Sequence, residues 1–313
     1  MKGTEGSTPR DPADAAPVDT FPEELTRRDV EAPPGLVYST VGIDTTQANI
    51  ARVYDYWLGG KDNYEADRRV GETVRDLAPW IVRGVRANRE FLVRAVTRLA
   101  EAGVDQFLDI GSGLPTMRNV HEVAQRVKPH SRVVYVDNDP MVLAHARALM
   151  GTDAGTWICR GDLREPGDLL DVPEVRDALD WGRPVAVLMI AVLHFLADQD
   201  GPADVVRTLR DEMAPGSYLV VSHTTPGNQD LHAGMPAAIR EYTQKVGPFT
   251  PRTRPEVEKL LDGFVMVPPG LVDVEAWPDL TCHTAAPVPM VAGLARWDGP
   301  RVTAAGARWG SPW

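Results

Sequence analysis

The sequence predicts an α/β fold, a doubly wound and mostly parallel sheet that follows an N-terminal helical extension. Two patterns indicate this fold. Three segments with helical apolar spacing come first, and from residue 105 short apolar runs alternate with helical segments. Near-continuous apolar strands that alternate with helices are typical of a parallel sheet covered on both faces.

The composition is that of a globular chain and excludes collagen, coiled-coil and wholly disordered proteins. Of the 313 residues, 43% are hydrophobic and 25% are charged. The net charge of -11 repels phosphate backbones, so we expect no nucleic-acid partner. The start lacks the apolar segment of a secretory signal, and the longest apolar run, 185–196, is too short to span a bilayer. The lone Cys159 and Cys282 fit no metal spacing and need no oxidising compartment, so we expect a cytoplasmic protein without a metal. With no segment long enough to span a bilayer, we also expect no membrane partner.

The chain is expected to divide into four segments. Residues 1–40 are rich in Pro, Ala, Asp and Glu, and such a composition cannot offset the entropy of ordering, so they predict a flexible tail. Residues 41–103 predict an N-terminal helical lid, residues 104–300 the α/β domain, and residues 301–313 a C-terminal tail.

Three helices are predicted in the extension. The first has Thr45 or Thr46 as its expected cap and ends at Gly59-Gly60. Its apolar face is formed by Ile50, Val53, Tyr54, Trp57 and Leu58. The second covers about 66–78 and ends before Pro79, and the third covers about 80–102 and ends at Gly103.

The α/β domain follows as alternating strands and helices. The predicted strands are 106–110, 132–136, 156–159, 185–192 and 217–222. The predicted helices between them are 117–127, 140–150 and 203–213. Two later segments, 263–267 and 288–297, predict strands that complete one edge of the sheet, the last of them antiparallel.

The end of the first predicted strand carries the most informative motif, Asp109-Ile110-Gly111-Ser112-Gly113. Two glycines between a buried strand and a helix let a ligand approach the backbone and the free N–H groups of the helix start. The carboxylate of Asp109 would repel a pyrophosphate and suits a cationic ligand group. Thr116 stands where a dinucleotide site has its third glycine, which disfavours a nicotinamide cofactor.

Two more acids follow the next two strands. Asp137 lies 24 residues beyond Gly113, where a carboxylate can accept both hydroxyls of a ribose. Asp162 can accept from the amine of an adenine while a neighbouring backbone N–H meets a ring nitrogen. Each acid could instead be a helix cap or a loop brace. Together they predict a site for an adenosine-like ligand with a cationic tail.

These motifs resemble those of class I S-adenosylmethionine-dependent methyltransferases, over about residues 105–297. The segment 45–64 (TTQANIARVYDYWLGGKDNY) and the run Gly113-Leu114-Pro115-Thr116 with 121–125 are similar to a bacterial S-adenosyl methyltransferase family long filed as a domain of unknown function. That resemblance extends over about residues 40–297. It implies a Rossmann-like fold, a domain at 104–300 that binds S-adenosylmethionine and releases S-adenosylhomocysteine, no metal, and an unassigned acceptor.

The candidate site residues follow from the motifs and the resemblance. The cofactor-binding candidates are Asp109, Gly111, Ser112, Gly113, Asp137, Asn138, Asp162, Leu163, Tyr54 and Lys61. Either Arg52 or Lys61 could pair with the methionine carboxylate, and Tyr56 or Tyr64 could touch the acceptor. The candidate catalytic bases are His194 and His223, which follow apolar strands, although each could simply bond its own loop.

The predicted function is methyl transfer from S-adenosylmethionine to a small molecule by in-line displacement. One alternative is a non-catalytic sensor or scaffold that binds the same cofactor, and another is a nicotinamide-dependent oxidoreductase. The acceptor atom, the use of a general base and the oligomeric state stay open at this point.

Overall fold

The computed structural model describes residues 44–116, 118–151, 153–280 and 286–300. The two predicted tails, 1–40 and 301–313, and the second cysteine, Cys282, lie outside the described residues.

The extension consists of α1 (Ile50–Leu58), α2 (Glu65–Leu77) and α3 (Ile81–Glu101), which confirms the three predicted helices. The expected cap of α1 at Thr45 or Thr46 is wrong. Asn49 caps the helix, because its side chain accepts hydrogen bonds from the backbone N–H groups of the first turn. The predicted stop at Gly59 is confirmed by its φ of 84°, a left-handed conformation that glycine adopts without strain.

The central sheet confirms the predicted fold class. Its strands are β1 (Gln106–Ile110), β2 (Arg132–Asp137), β3 (Thr156–Arg160), β4 (Ala186–Ile190), β5 (Ser217–Thr224), β6 (Val265–Met266), β7 (Val272–Asp273) and β8 (Met290–Trp297). The order is β3-β2-β1-β4-β5-β8-β6, and β7 also pairs with β8. Strands β1 to β5 are parallel, and β8 runs antiparallel to its neighbours, as predicted for the last strand.

The remaining helices connect or cover the strands. They are α4 (Val120–Val127), α5 (Pro140–Met150), α6 (Pro166–Asp171), α7 (Pro173–Ala178), α8 (Pro202–Glu212), α9 (Met235–Lys245) and α10 (Arg254–Leu260). The sequence pattern predicted α4, α5 and α8 and missed the other four. Helices α6, α7 and α10 span two turns or fewer, which is too short for apolar spacing to repeat.

Alternate residues of the strands pack on opposite faces of the sheet. Leu108 and Val134 belong to a core shared with α6, α7, α8 and α10, whereas Phe107 and Val133 belong to a core shared with α3 and α4. The extension has a third core, in which Trp57 of α1 stacks on Tyr242 of α9 with ring centroids 6.1 Å apart. Within the described residues, no helix is long and apolar enough to cross a membrane.

Candidate functional site

A cavity of about 270 Å³ opens at the carboxyl ends of the parallel strands. It is lined by the residues that follow β1, β2, β3 and β4, and by side chains of α1 and α3. Strand β1 lies between β2 and β4, so the chain order reverses at this point of the sheet. Open α/β sheets bind ligands in the crevice at such a reversal.

The loop after β1 brings backbone to the cavity. Gly111 has a φ of 71°, and a Cβ there would lie 2.5 Å from Cγ2 of Val192, so only glycine fits. Gly113 has a φ of 65°, and a Cβ there would meet open space. The N–H of Gly113 donates to Oδ2 of Asp137 at 2.9 Å, which joins the loop to the end of β2.

Asp109 is a buried acid in the wall of this cavity. Burial raises the pKa of its carboxyl to about 7, while the nearby charge of Arg89 lowers the pKa and that of Asp137 raises it. Within the described residues, the Asp109 carboxylate makes no hydrogen bond and no ion pair. A buried carboxylate without a partner is unfavourable unless a positive group reaches it, so this position suits a cationic ligand.

Asp137 holds the end of β2 and keeps capacity for a ligand. Its carboxylate accepts hydrogen bonds from the N–H groups of Gly113 at 2.9 Å and Asp139 at 3.0 Å. A carboxylate has about four acceptor positions, so two remain. Burial raises the pKa of Asp137, and these two hydrogen bonds are among the contacts that lower it. Asp139 caps α5 through the N–H of Met141 and also accepts from the side-chain amide of Asn49, which links α1 to the end of β2.

Asp162 after β3 is paired with a neighbouring arginine. Its Oδ1 accepts from the backbone N–H and from Nε of Arg164, both at 2.9 Å, and Nδ2 of Asn138 lies 3.3 Å from Oδ2. The hydrogen bonds from Arg164 lower the pKa of Asp162 to about 2. Asp162 is therefore ionised at neutral pH, and a ligand amine has to share it with the guanidinium or displace it.

The structure brings nine of the ten cofactor-binding candidates together on one cavity. These are Asp109, Gly111, Ser112, Gly113, Asp137, Asn138, Asp162, Leu163 and Tyr54. Lys61 is exposed and lies outside the lining. The other candidates from the extension also lie outside it: Arg52 forms a buried ion pair with Asp67, and neither Tyr56 nor Tyr64 reaches the cavity.

The two histidines predicted as bases lie outside the lining of the cavity. His223 lies within β5, where Nδ1 is 2.7 Å from the carbonyl oxygen of Thr224 and Nε2 is 3.4 Å from Nη1 of Arg252. Burial lowers the pKa of His223 to about 4. His194 accepts from the N–H of Thr224 through Nδ1 at 3.4 Å, and burial holds its pKa well below the usual range. Both rings are neutral and bonded to neighbouring segments, so the base role stays a prediction without support from these contacts.

Several lining residues were not among the candidates. Asn88 on α3 is 2% exposed and contacts both Ser222 and Tyr54. Its side chain lies on the same apolar face as Val85 and Leu92, three and four residues away. A polar residue inside an apolar helical stripe is the signal that could have identified it, because buried polar groups need partners. The others include Asn49, Arg89, Ala191 and Asp200.

The described residues hold no cluster of histidine, cysteine, aspartate and glutamate that could bind a metal ion. The polar groups at the cavity are carboxylates, amides, a phenol, the hydroxyl of Ser112, arginines and backbone N–H groups.

Comparisons with known proteins identify the family of the chain. A search of curated proteins found no significant match. Among solved structures, the chain is 40% identical to a proposed methyltransferase from Thermobifida fusca YX, with a TM-score of 0.78 over 84% of this chain and 100% of that chain. It is 41% identical to a DUF574 family protein from Streptomyces avermitilis MA-4680, with a TM-score of 0.76 over 81% of this chain and 99% of that chain. Residues 38–298 match the family described as S-adenosyl methyltransferase. The chain belongs to this S-adenosyl methyltransferase family, which is the family that its motifs resemble.

Proposed function

We propose that this protein transfers the methyl group of S-adenosylmethionine to a small-molecule acceptor. The observation that carries the proposal is the partnerless, buried carboxylate of Asp109 on a cavity that the ends of four parallel strands surround. S-adenosylmethionine carries an ammonium group, a ribose and an adenine, and the cavity offers a matching acid at the end of each of β1, β2 and β3.

Each acid has a proposed partner. Asp109 binds the ammonium group, and the two remaining acceptor positions of Asp137 take the ribose hydroxyls. Asp162 accepts a hydrogen bond from the adenine amine once Arg164 has given up one of its hydrogen bonds to the carboxylate. The N–H of Leu163 donates to a ring nitrogen of the adenine. Gly111, Ser112 and Gly113 line the path of the methionine portion with backbone, and Asn138 lies between the ribose and adenine positions.

Methyl transfer depends more on the alignment of the acceptor with the methyl group than on reactive side chains. Bound S-adenosylmethionine supplies a methyl group on a positively charged sulfur, which is already a good leaving group. The protein has to hold the acceptor in line with that methyl and exclude water, and such positioning can contribute up to roughly 7–11 kcal/mol in the best intramolecular cases. Asn49, Ile50, Ala51 and Tyr54 of the extension form part of the wall, so the extension helps to enclose the reactants.

The size of the cavity and the net charge of the chain support a small acceptor. The volume of about 270 Å³ lies just below the range of ~300–1,000 Å³ that is usual for small-molecule sites, which leaves little room for an acceptor beside the cofactor. The acidic chain, with a net charge of -11, disfavours a nucleic acid.

The first test is a calorimetric titration of the full chain with S-adenosylhomocysteine, with Asp109→Ala as the comparison. We expect a dissociation constant in the micromolar range or below for the native protein and at least 10-fold weaker binding for the variant, since a charged hydrogen bond is lost. A native protein that does not bind at these concentrations would contradict the proposal.

A second test separates an enzyme from a sensor or scaffold. The protein is mixed with methyl-labelled S-adenosylmethionine and a broad metabolite extract, and labelled products are separated by chromatography. A labelled small molecule supports catalysis. Binding of S-adenosylhomocysteine without any labelled product would favour the sensor.

A further inference from the structure

Beyond the cofactor side, the cavity has a second half that faces the end of β4. In the sheet order, β4 lies on the opposite side of β1 from β2 and β3. The lining on this side comes from Tyr54 of α1, Asn88 and Leu92 of α3, and Ile190, Val192 and Phe195 at and after the end of β4. This half is apolar except for one phenol and one amide.

A directed chain of hydrogen bonds joins three residues that line the cavity, Tyr54, Asn88 and Ala191, through the buried Ser222. It starts at Ala191, a non-glycine residue with a φ of 56°, whose N–H lies 2.9 Å from Oγ of Ser222. Oγ of Ser222 is 2.6 Å from Oδ1 of Asn88, and Nδ2 of Asn88 is 3.0 Å from the hydroxyl of Tyr54. The Tyr54 hydroxyl lies 3.3 Å from the carbonyl oxygen of Val85.

The ends of this chain determine which group donates at each step. The N–H of Ala191 can only donate, so the hydroxyl of Ser222 is free to donate to Oδ1 of Asn88. The amide N–H of Asn88 then donates to Tyr54, whose own proton goes to the carbonyl of Val85, which can only accept. With its proton on the carbonyl of Val85, the Tyr54 oxygen keeps one lone pair beyond the bond from Asn88, and that lone pair binds only a group that donates.

We propose that the β4 half of the cavity binds an unprotonated aryl or heteroaryl amine and that the Tyr54 oxygen accepts a hydrogen bond from its N–H. This inference rests on the proposed function, because it assigns the acceptor of the same methyl transfer. An N–H held by Tyr54 leaves the nitrogen lone pair free to point at the methyl group. The apolar wall with Phe195 fits an aromatic ring.

Proton balance favours nitrogen over oxygen as the reacting atom. A hydroxyl has to lose its proton to a base as it is methylated, and the described lining contains no histidine, lysine or cysteine. Its carboxylates are placed elsewhere: Asp109, Asp137 and Asp162 are assigned to the cofactor, and Asp139 caps α5. Asp200 accepts from the N–H of Ala197, and its charge acts on Arg164, which pairs with Asp162 on the cofactor side. Burial also raises the pKa of Tyr54, which keeps the phenol neutral.

An amine needs no base. Its lone pair forms the new N–C bond while the C–S bond breaks and leaves its electron pair on sulfur, so the positive charge passes to nitrogen. The proton stays on nitrogen and leaves only after the product reaches water. The lining carries more acids than bases, which stabilises that cation: Asp109, Asp137, Asp139, Asp162 and Asp200 against Arg89 and Arg164.

The test uses compact aryl and heteroaryl amines, each with its hydroxyl and carboxylate counterpart on the same ring. Binding to the full chain saturated with S-adenosylhomocysteine is measured by calorimetry, and methyl transfer is measured with labelled donor. We expect amines to bind and to be methylated at least 10-fold better than their counterparts. Preferential labelling of hydroxyls or carboxylates, or no preference, would overturn the inference. If S-adenosylhomocysteine binds and no amine is bound or labelled, the inference fails while the cofactor assignment stands. If S-adenosylhomocysteine itself does not bind, the proposed function fails first.

Two matched variants on α1 test the role of the phenol. Tyr54→Phe keeps the ring and removes the oxygen, so we expect KM for the amine to rise about 5- to 10-fold. The sequence made Tyr54 a cofactor-binding candidate, whereas its oxygen is now assigned to the acceptor, so the dissociation constant of S-adenosylhomocysteine should stay within 2-fold of the native value. Tyr56→Phe is the control, because Tyr56 bonds Glu72 outside the cavity. An unchanged KM in Tyr54→Phe, or a loss of cofactor binding, would contradict the inference.

Discussion

At the scale of single residues, Asp109 is the most informative side chain of the site. Its carboxylate is buried, lacks a partner within the described residues and faces a cavity. Such a group destabilises the ligand-free protein when it is ionised. Binding of a cation removes this destabilisation, because the buried charge then has a partner. Stability and ligand binding should therefore both depend on its protonation.

The stability of the ligand-free protein tests this side chain first. In the unfolded chain the pKa of the carboxyl is the ordinary 3.8 of an aspartate, and burial raises the pKa to about 7 in the folded protein. Because the unfolded state then binds fewer protons between these values, Asp109 lowers the free energy of unfolding as the pH rises from about 4 to about 7. Asp109→Asn should be as stable as the native protein near pH 4 and up to about 4 kcal/mol more stable above pH 7, measured by urea unfolding. A stability difference between Asp109→Asn and the native protein that is the same at every pH would contradict this prediction. The control is Asp204→Asn, which replaces an exposed aspartate.

Cofactor binding should show the opposite dependence on pH. Only the ionised Asp109 attracts the ammonium group, so with a pKa of about 7 binding should tighten roughly 8-fold from pH 6.0 to pH 7.5. The measurement is the dissociation constant of S-adenosylmethionine at a series of pH values. Adenosine lacks the ammonium group and should show no such change. Asp109→Asn should bind weakly with a flat profile, and a native slope in this variant would contradict the assignment.

Two glycines of the β1 loop offer a matched comparison of backbone and packing effects. Both have positive φ, but a Cβ at Gly111 would collide with Val192 whereas one at Gly113 would meet open space. Gly113→Ala should lower the free energy of unfolding by about 1–2 kcal/mol from backbone strain alone. Gly111→Ala should lose a further ~1–3 kcal/mol through overpacking. If both variants lost the same free energy of unfolding in urea, the collision of the new Cβ with Val192 would cost nothing, which would contradict this prediction.

At the scale of elements, α1 connects the extension to the sheet. Its cap residue Asn49 donates to Asp139 at the end of β2, and its Tyr54 bonds to Asn88 on α3. On the other side, Nε of Arg52 lies 2.8 Å from Asp67 of α2, with both side chains buried, although the Nε–H is not aligned for a hydrogen bond. These contacts hold α1 against the cavity.

The ion pair between α1 and α2 should be important for stability. Asp67 also accepts from the N–H groups of Asn49 and Tyr64, so removal of Arg52 leaves a buried charge with only neutral partners. Arg52→Met should lower the free energy of unfolding by about 3–5 kcal/mol. The control Arg69→Met breaks an exposed pair with Glu65 and should change stability by no more than about 0.5 kcal/mol. A loss of similar size in both variants would contradict the distinction.

At the scale of the whole molecule, the cavity is a joint product of the sheet and the extension. Strand ends supply the acids, α1 and α3 supply the opposite wall, and Arg252 holds the segment after β4 by donating to the carbonyls of Leu193 and Leu196 and to Asp198. A ligand in this cavity contacts all of these parts, so its binding should stabilise the fold as a unit.

Ligand binding should thus raise the thermal midpoint of the entire chain. At a concentration 100 times its dissociation constant, S-adenosylhomocysteine should add about 2.7 kcal/mol, which corresponds to a rise in Tm of roughly 5–10 °C for a domain of this size. Hydrogen exchange should slow together in α1 and in the segment 193–200. Protection limited to the strand ends would show that the extension takes no part in the site.

The sequence by itself determined the parallel sheet, the glycine loop, the three acids after successive strands and the family. These features are local, because a buried parallel strand is a short apolar run and its ligand-binding residues follow it directly along the chain. Only the tertiary structure decided that Asn88 and Tyr54 form one hydrogen-bonded chain with Ser222, and that the rings of His194 and His223 bond their own surroundings. It also decided that Lys61 lies outside the cavity and that α9 packs on the extension. The contacts Tyr54–Asn88, Asn88–Ser222 and Trp57–Tyr242 join residues that are 34, 134 and 185 positions apart, and no local pattern encodes which of them meet in the folded chain.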